Sequence, residues 1–541
     1  MKRNISAYQL SSLAKVFPTE IHGDTLDHTE CAVGQHTAYQ IAIMGDAGEY
    51  SFNISTAFEG VAVYRVGYVP SAMPAYPQAH DDDYITVEPG LFPDPLIPVA
   101  ERKIILKDKE YLTLWIDLDA NCGAGVYPIE FTLMSEGDTV FSSFFELTVH
   151  SNILPKQKIR FTQWFHTDCI ADVHGVEVFS PEHWRLIEKY IKIGAQNGLN
   201  MLLVPVLTPP LDTEVGGERT TVQLAEIVKN DDTYDIDLSR LERFIDICVD
   251  AGIEYFEINH FFTQWGAKNA PKVIATVDGE KRRIFGWETD ADSPEYKEFL
   301  CCLVPKIIAT FEKKGIDRSR LYFHVSDEPS REHLDSYRVA SSILLPLIDG
   351  CNHMDALSHF EFYGEGLVST PVVGTNSLEP FIEAGVPDLW CYYCCAQARE
   401  VANRFFAMPS RRNRIIGVQM YKYNIAGFLH WGYNFYNTQY SKAKIDPFKV
   451  TDAGGAFPSG DSFSVYPYRD DVIPSLRLKV FKHALEDISL LKLLEDKIGR
   501  DEVIGLIDEC AGIDITFKKY PTDDDFFTRL YKRVFEKLRD E

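Results

Sequence analysis

The stretch Arg320–Ser330, RLYFHVSDEPS, ends an apolar run in two adjacent carboxylates and a proline. Carboxylates serve as general acid, general base, nucleophile or cation stabiliser. Side chains alternate faces along a strand. Tyr322, His324, Ser326 and Glu328 therefore share one face, and Leu321, Phe323, Val325 and Asp327 the other. The more polar set suits the inside of a barrel, which aims Glu328 into the mouth where barrel active sites lie. Asp327 has the opposite parity, so the chain must bend for both to meet one ligand. Pro329 removes a ladder donor and biases Glu328 to an extended conformation. The alternative is a polar strand end that merely caps a helix starting at Ser330.

Strands and helices must alternate to place such a pair. From about Ile159 they do. IRFTQWFHTDC precedes a helix with Ser180 as N-cap and Pro181 at its first position, and NMLLVPVLTPP, IEYFEINHFF and RLYFHVSDEP are each followed by helical segments. HMDALSHFEF, TPVVGTN, DLWCYYCC and, after a helix expected from about Asn403, IAGFLHWGYNFYN bring the strands to eight. Eight such units predict a (β/α)8 barrel over residues 156–440. No GxGxxG follows a first strand, which disfavours a doubly wound sheet. Residues 1–155 show short alternating runs between Gly, Asp and Asn, the pattern of a β-sandwich. Residues 441–541 hold a long loop and then helices; Leu478, Phe481, Leu485, Ile488 and Leu491 predict an amphipathic one. The fold class is thus multidomain α/β, with an N-terminal β-sandwich, a central (β/α)8 barrel and C-terminal helices.

The 541 residues carry 54 Lys and Arg against 80 Asp and Glu, a formal net charge of −26. That surface repels phosphate backbones and anionic bilayers, so neither nucleic acid nor a membrane is an expected partner. Aromatic residues make up 13%, most of them core, yet flat rings also stack on sugars. The N-terminus MKRNISAYQLSSLAKVF lacks an apolar core of signal-peptide length. Together with the 11 cysteines, read as reduced thiols, it predicts a cytoplasmic protein.

Further candidates sit at the predicted mouth. Trp164 and His166 end the first strand, His260 and Trp265 the third, Tyr392 and Tyr393 the seventh, and Trp431 and Asn434 the last. Each is read as substrate-binding or as core. Cys391, Cys394 and Cys395 lie in an apolar strand without a second Cys or His pair, so they read as buried thiols and not as zinc ligands. No metal and no cofactor is expected. Gly454 and Gly455 lie in TDAGGAFPSGDSF, read as a lid or substrate-edge loop because no GK[ST] follows. Glu361 is a spare carboxylate for an ordinary two-carboxylate mechanism.

HVSDEPS, LWCYYCCAQAREVANRFF, GFLHWGYNFYN and IPSLRLKVFKHALEDISLL, in this order, resemble glycoside hydrolase family 123 and the wider domain-of-unknown-function 4091 group. The resemblance runs from about residue 155 to 495. It implies a retaining β-N-acetylgalactosaminidase acting on an oligosaccharide or glycoconjugate, in which the substrate's own 2-acetamido oxygen attacks the anomeric carbon. Asp327 would then stabilise the oxazolinium-like cation and Glu328 would be the acid and base. Tyr393 would donate to the acetamido carbonyl. The alternatives left open are another sugar specificity on this scaffold and a carbohydrate-binding protein without catalysis.

Overall fold

The computed structural model describes residues 4–231 and 233–539. Two five-stranded sheets form the N-terminal sandwich. One orders Ile5–Ser11, His36–Gly45, Leu112–Asp119, Val61–Ser71 and Gly90–Pro98; the other orders His28–Val33, Asp138–Ile153, Gly125–Ser135, Gly48–Ser55 and Lys103–Leu106. Alternate residues of each sheet turn inward, so Tyr39, Ile41 and Ile43 meet Phe131, Leu133 and Phe145 in one dry core. Tyr39 stacks on Phe145 with ring centroids 4.0 Å apart.

Eight parallel strands close the barrel: Arg160–Gln163, Met201–Val204, Tyr255–Ile258, Leu321–Phe323, Asn352–Leu357, Thr370–Gly374, Trp390–Tyr392 and Gly427–His430. The first helix of the barrel pattern starts as expected, with the Ser180 hydroxyl accepting from His183 N–H at 3.2 Å and Pro181 in the first turn. Every second strand residue points inward, and Met201, Leu203, Tyr322, Met354, Val372 and Trp390 fill the interior. Gly427 is needed there: a Cβ would lie 2.2 Å from the Trp390 ring.

Three features differ from the expectation. The helix predicted from about Asn403 begins only at Ser410. Before it, the Asn403 amide donates to the carbonyls of Cys394 and Gln397, and Arg404 donates to Gln163, His430 and two backbone carbonyls. Those buried polar bonds, with Pro409 just ahead, outweigh helix propensity. The helix Leu476–Ile498 is buried on all sides over most of its length and not on one stripe. It lies between barrel and sandwich, and its charges are paired across that junction: Arg477 with Asp94, Lys479 with Asp117 and Glu486 with His36, each at 2.8 Å. Finally, hairpins Glu226–Asn230/Thr233–Asp237 and Val273–Val277/Glu280–Phe285, from the loops after the second and third barrel strands, join into a four-stranded sheet. Among the described residues no helix is long and apolar enough to cross a membrane.

Candidate active site

The fourth barrel strand ends at Phe323, sooner than the sequence suggests. Beyond it the backbone is held by a neighbour, not by the ladder: the Asp355 carboxylate accepts the N–H groups of Val325 at 3.2 Å and Ser326 at 3.3 Å. Glu328 is left-handed, with φ 42°, and not extended. This is the bend that the parity of the pair requires. A non-glycine residue there is strained, all the more before a proline, and such strain clusters at functional sites. Asp327 and Glu328 consequently line one pocket at the C-terminal end of the barrel, together with Trp164, Tyr392 and Trp431.

The Tyr392 hydroxyl donates to Glu328 Oε1 at 2.6 Å. Burial, followed by the charge of Glu328, raises the Tyr392 hydroxyl well above its ordinary range, so it stays a donor. Burial likewise lifts the Asp327 carboxyl well above the usual carboxylate range, and the Glu328 charge adds to it. The pair therefore resists carrying two negative charges.

Beneath the pair lies a closed ionic network. His324 Nε2 meets Glu257 Oε1 at 2.6 Å and His324 Nδ1 meets Asp355 Oδ1 at 3.1 Å, all fully buried. Burial opposes the imidazolium, but the Asp355 and Glu257 carboxylates outweigh it and hold His324 at about 10. Glu257 also accepts from Trp164 Nε1 at 2.6 Å and Thr162 Oγ1 at 2.7 Å, and Asp355 from the Tyr337 hydroxyl at 2.5 Å. The network thus orients both the Trp164 wall and the strand end that carries the pair.

The other expected residues divide. Trp164 and Trp431 are pocket walls; Trp431 Nε1 donates to buried Asp461 at 2.9 Å, whose carboxyl burial raises to about 7. Tyr392 faces the pocket and Tyr393 does not, reversing the expected assignment. Tyr392 shares the parity of inward-facing Trp390, so Tyr393 points into the helix layer, where it packs on Phe428 and donates to Asn413 at 2.9 Å. Asn434 also lies off the pocket: its amide accepts from His166 N–H at 2.9 Å and donates to the His166 carbonyl at 3.0 Å, clamping two strand ends together. His166 is buried, at 3.0 Å from both the Trp431 carbonyl and Arg219; burial and then Arg219 lower it to about 3, so it is neutral. His260 stacks on His324 at 4.2 Å, buried and neutral, because burial and the adjacent imidazolium both disfavour its charge.

His260, His324 and Asp355 bring ligand atoms within 4.8 Å of one another, but both His324 nitrogens are already engaged by carboxylates. Cys391 is buried in the helix layer, whereas Cys394 and Cys395 border the pocket. Glu361 is exposed and paired with Arg331, away from the pocket. The TDAGGAFPSGDSF loop is a fixed wall: Thr451 donates to the Pro70 carbonyl, Ser459 pairs with Ser71, and Phe457 reaches the pocket.

Three contributors escaped the sequence reading. Asp212 lines the pocket from the loop after the second strand, and burial raises its carboxyl to about 6. Its position follows from a left-handed backbone, φ 39°, which no residue type announces. Glu257 and Asp355 had a visible signal, carboxylates in mid-strand on the strands flanking His324, Glu257 at inward parity and Asp355 at the parity of the helix layer.

None of the curated proteins matches this chain. A family 123 glycoside hydrolase from Clostridium perfringens, whose structure was analysed for glycolipid glycan hydrolysis, superposes with a TM-score of 0.72 at 13% identity, covering 99% of this chain and 98% of that one. A family 5 xyloglucanase from Bacteroides ovatus is far more distant, with a TM-score of 0.32 at 11% identity over 85% of this chain and 98% of that one. The model of the glycoside hydrolase 123 catalytic domain matches residues 164–494, more than half of the chain. The pocket that holds Asp327 and Glu328 lies within that span, and the chain belongs to glycoside hydrolase family 123.

Proposed function

We propose that this glycoside hydrolase releases terminal β-linked N-acetylgalactosamine from an oligosaccharide or glycoconjugate, with retention, by substrate assistance. The observation that carries the reading is that Asp327 and Glu328 are consecutive in the chain and still share one pocket. An ordinary retaining pair flanks the bond as acid and nucleophile about 5–5.5 Å apart; neighbours on one strand end suit cation stabiliser and acid better.

The acetamido oxygen attacks the anomeric carbon and the glycosidic C–O bond breaks. Glu328 gives its proton to the departing oxygen. Glu328 then takes a proton from water, the water oxygen bonds the anomeric carbon, and the oxazolinium reopens to the acetamide. Burial and the Glu328 charge favour a proton on Asp327 in the free enzyme. An acetamido N–H donating to Asp327 favours its ionised form and leaves that proton with Glu328. Tyr392 orients Glu328 through its hydrogen bond and is the pocket tyrosine available to the acetamido oxygen. The glycolipid glycans hydrolysed by the Clostridium perfringens protein support a glycoconjugate as substrate.

Aryl β-glycosides of N-acetylgalactosamine, N-acetylglucosamine and galactose test the reading. The N-acetylgalactosaminide should be cleaved fastest, the galactoside, which lacks the nucleophile, not measurably, and EDTA should change neither. A galactoside cleaved at a comparable rate would reject substrate assistance. A second reading, ordinary double displacement, is favoured by Asp212, a third carboxylate in the pocket.

A further inference from the structure

Of the seven tryptophans, Trp265 alone is exposed, at 38%. It lies on the rim of the catalytic pocket, and its backbone is left-handed, φ 57°. An exposed indole in a strained conformation is doubly unfavourable for folding alone. The surrounding contacts hold it there. Its N–H donates to the carbonyl of Asp327 at 3.2 Å, and that of Gly266 to the Ser326 hydroxyl at 3.4 Å. Gly266 has φ 120°, and a Cβ on it would meet the His333 ring at 2.7 Å. Trp265 is thus tied directly to the strand end that carries the acid.

A second loop supports the ring from the side. Tyr440 packs edge-on against Trp265, centroids 5.8 Å apart and planes at 89°. Tyr440 and Ser441 are also left-handed, at 59° and 54°. Both are fastened to Asp212: its carboxylate accepts the Tyr440 N–H at 3.1 Å, and its carbonyl accepts the Ser441 hydroxyl at 2.7 Å. Two strained loops therefore clamp each other and leave one indole open beside the exposed Glu328.

We infer that Trp265 is the stacking platform for the acceptor sugar, the pyranose that leaves when the glycosidic bond breaks, with Asp212 available to a hydroxyl of the same ring. The inference rests on the hydrolase reading above. The leaving oxygen must lie at the general acid, so the ring that carries it extends outward past Glu328, where Trp265 offers an apolar face. Sugar C–H faces stack on indole as other apolar groups do.

The test compares Trp265→Ala with the wild type on two substrates with the same N-acetylgalactosaminyl group, a disaccharide with a galactose acceptor and the glycosyl fluoride, which has no acceptor ring. The disaccharide-to-fluoride ratio of kcat/KM should fall about tenfold or more, the equivalent of about 1.4 kcal/mol, and Trp265→Phe should restore part of it. An unchanged ratio overturns the platform, whether both rates fall together or neither does. Saturation-transfer NMR with methyl β-galactoside reads the subsite without hydrolysis. Transfer to the ring protons from the wild type and not from Trp265→Ala supports the platform; equal transfer, or none, overturns it. A wild type that cleaves neither substrate rejects the hydrolase specificity, and the NMR result then decides the subsite by itself.

Discussion

Glu328→Gln is expected to lower kcat/KM by about 10³-fold on disaccharides, within the 10²–10⁴ that a positioned general acid contributes. On a substrate with an activated aryl leaving group the loss should be small, because that oxygen departs without a proton. Asp327→Asn should behave differently. It removes the charge that faces the oxazolinium-like cation, so both kinds of substrate should slow by about 10²–10³-fold. Steady-state kinetics on an aryl glycoside and a disaccharide, for both variants, gives the pattern. Equal damage to the two substrates by Glu328→Gln would remove it as the acid.

The second large effect is on stability. His324→Ala leaves Glu257 and Asp355 as buried, uncompensated charges, and breaking such a pair from one side costs about 3–5 kcal/mol. Glu257→Gln keeps an oxygen for Trp164 and His324 and should be milder. The pH dependence has a definite sign. His324 is raised from 6.5 to about 10 by its two carboxylates. Its contribution is therefore full below pH 6.5 and is lost as pH rises through about 10. Denaturant titrations of wild type and His324→Ala should differ most at or below pH 6.5 and converge toward pH 10. A constant difference across that range would show that the ring is lost as packing and not as charge.

The barrel was legible because its strands are short apolar runs separated by amphipathic helices, a pattern that survives without knowledge of contacts. All eight runs became strands. Parity within those strands was legible too: it placed Tyr322 and His324 inside and required a bend at Asp327. What failed lies where the backbone leaves regular structure. Pro329 favours an extended Glu328, yet the Asp355 carboxylate seizes the preceding amides and Glu328 turns left-handed. Tyr392 and not Tyr393 faces the pocket, because inward-facing Trp390 two residues earlier fixes the alternation. Of the two roles open to Asn434 and His166, sugar ligand or core, the structure shows the second: they bond each other. Asp212 reaches the pocket through a left-handed loop residue, a conformation that residue type alone does not specify, whereas Trp265 lines the pocket as expected of a residue at the mouth.

The central claim is that the substrate's acetamido oxygen, assisted by Asp327, is the nucleophile. Aryl β-N-acylgalactosaminides with zero, one, two and three fluorines on the acyl methyl group test it directly. Each fluorine withdraws electrons from the amide oxygen and leaves the leaving group untouched. The account predicts that kcat falls steeply and log-linearly with fluorination. It also predicts that intact-protein mass spectrometry during turnover of a 2-deoxy-2-fluoro galactoside shows only the unmodified chain. A flat series, with a sugar adduct on Asp212 or any other carboxylate, would contradict it.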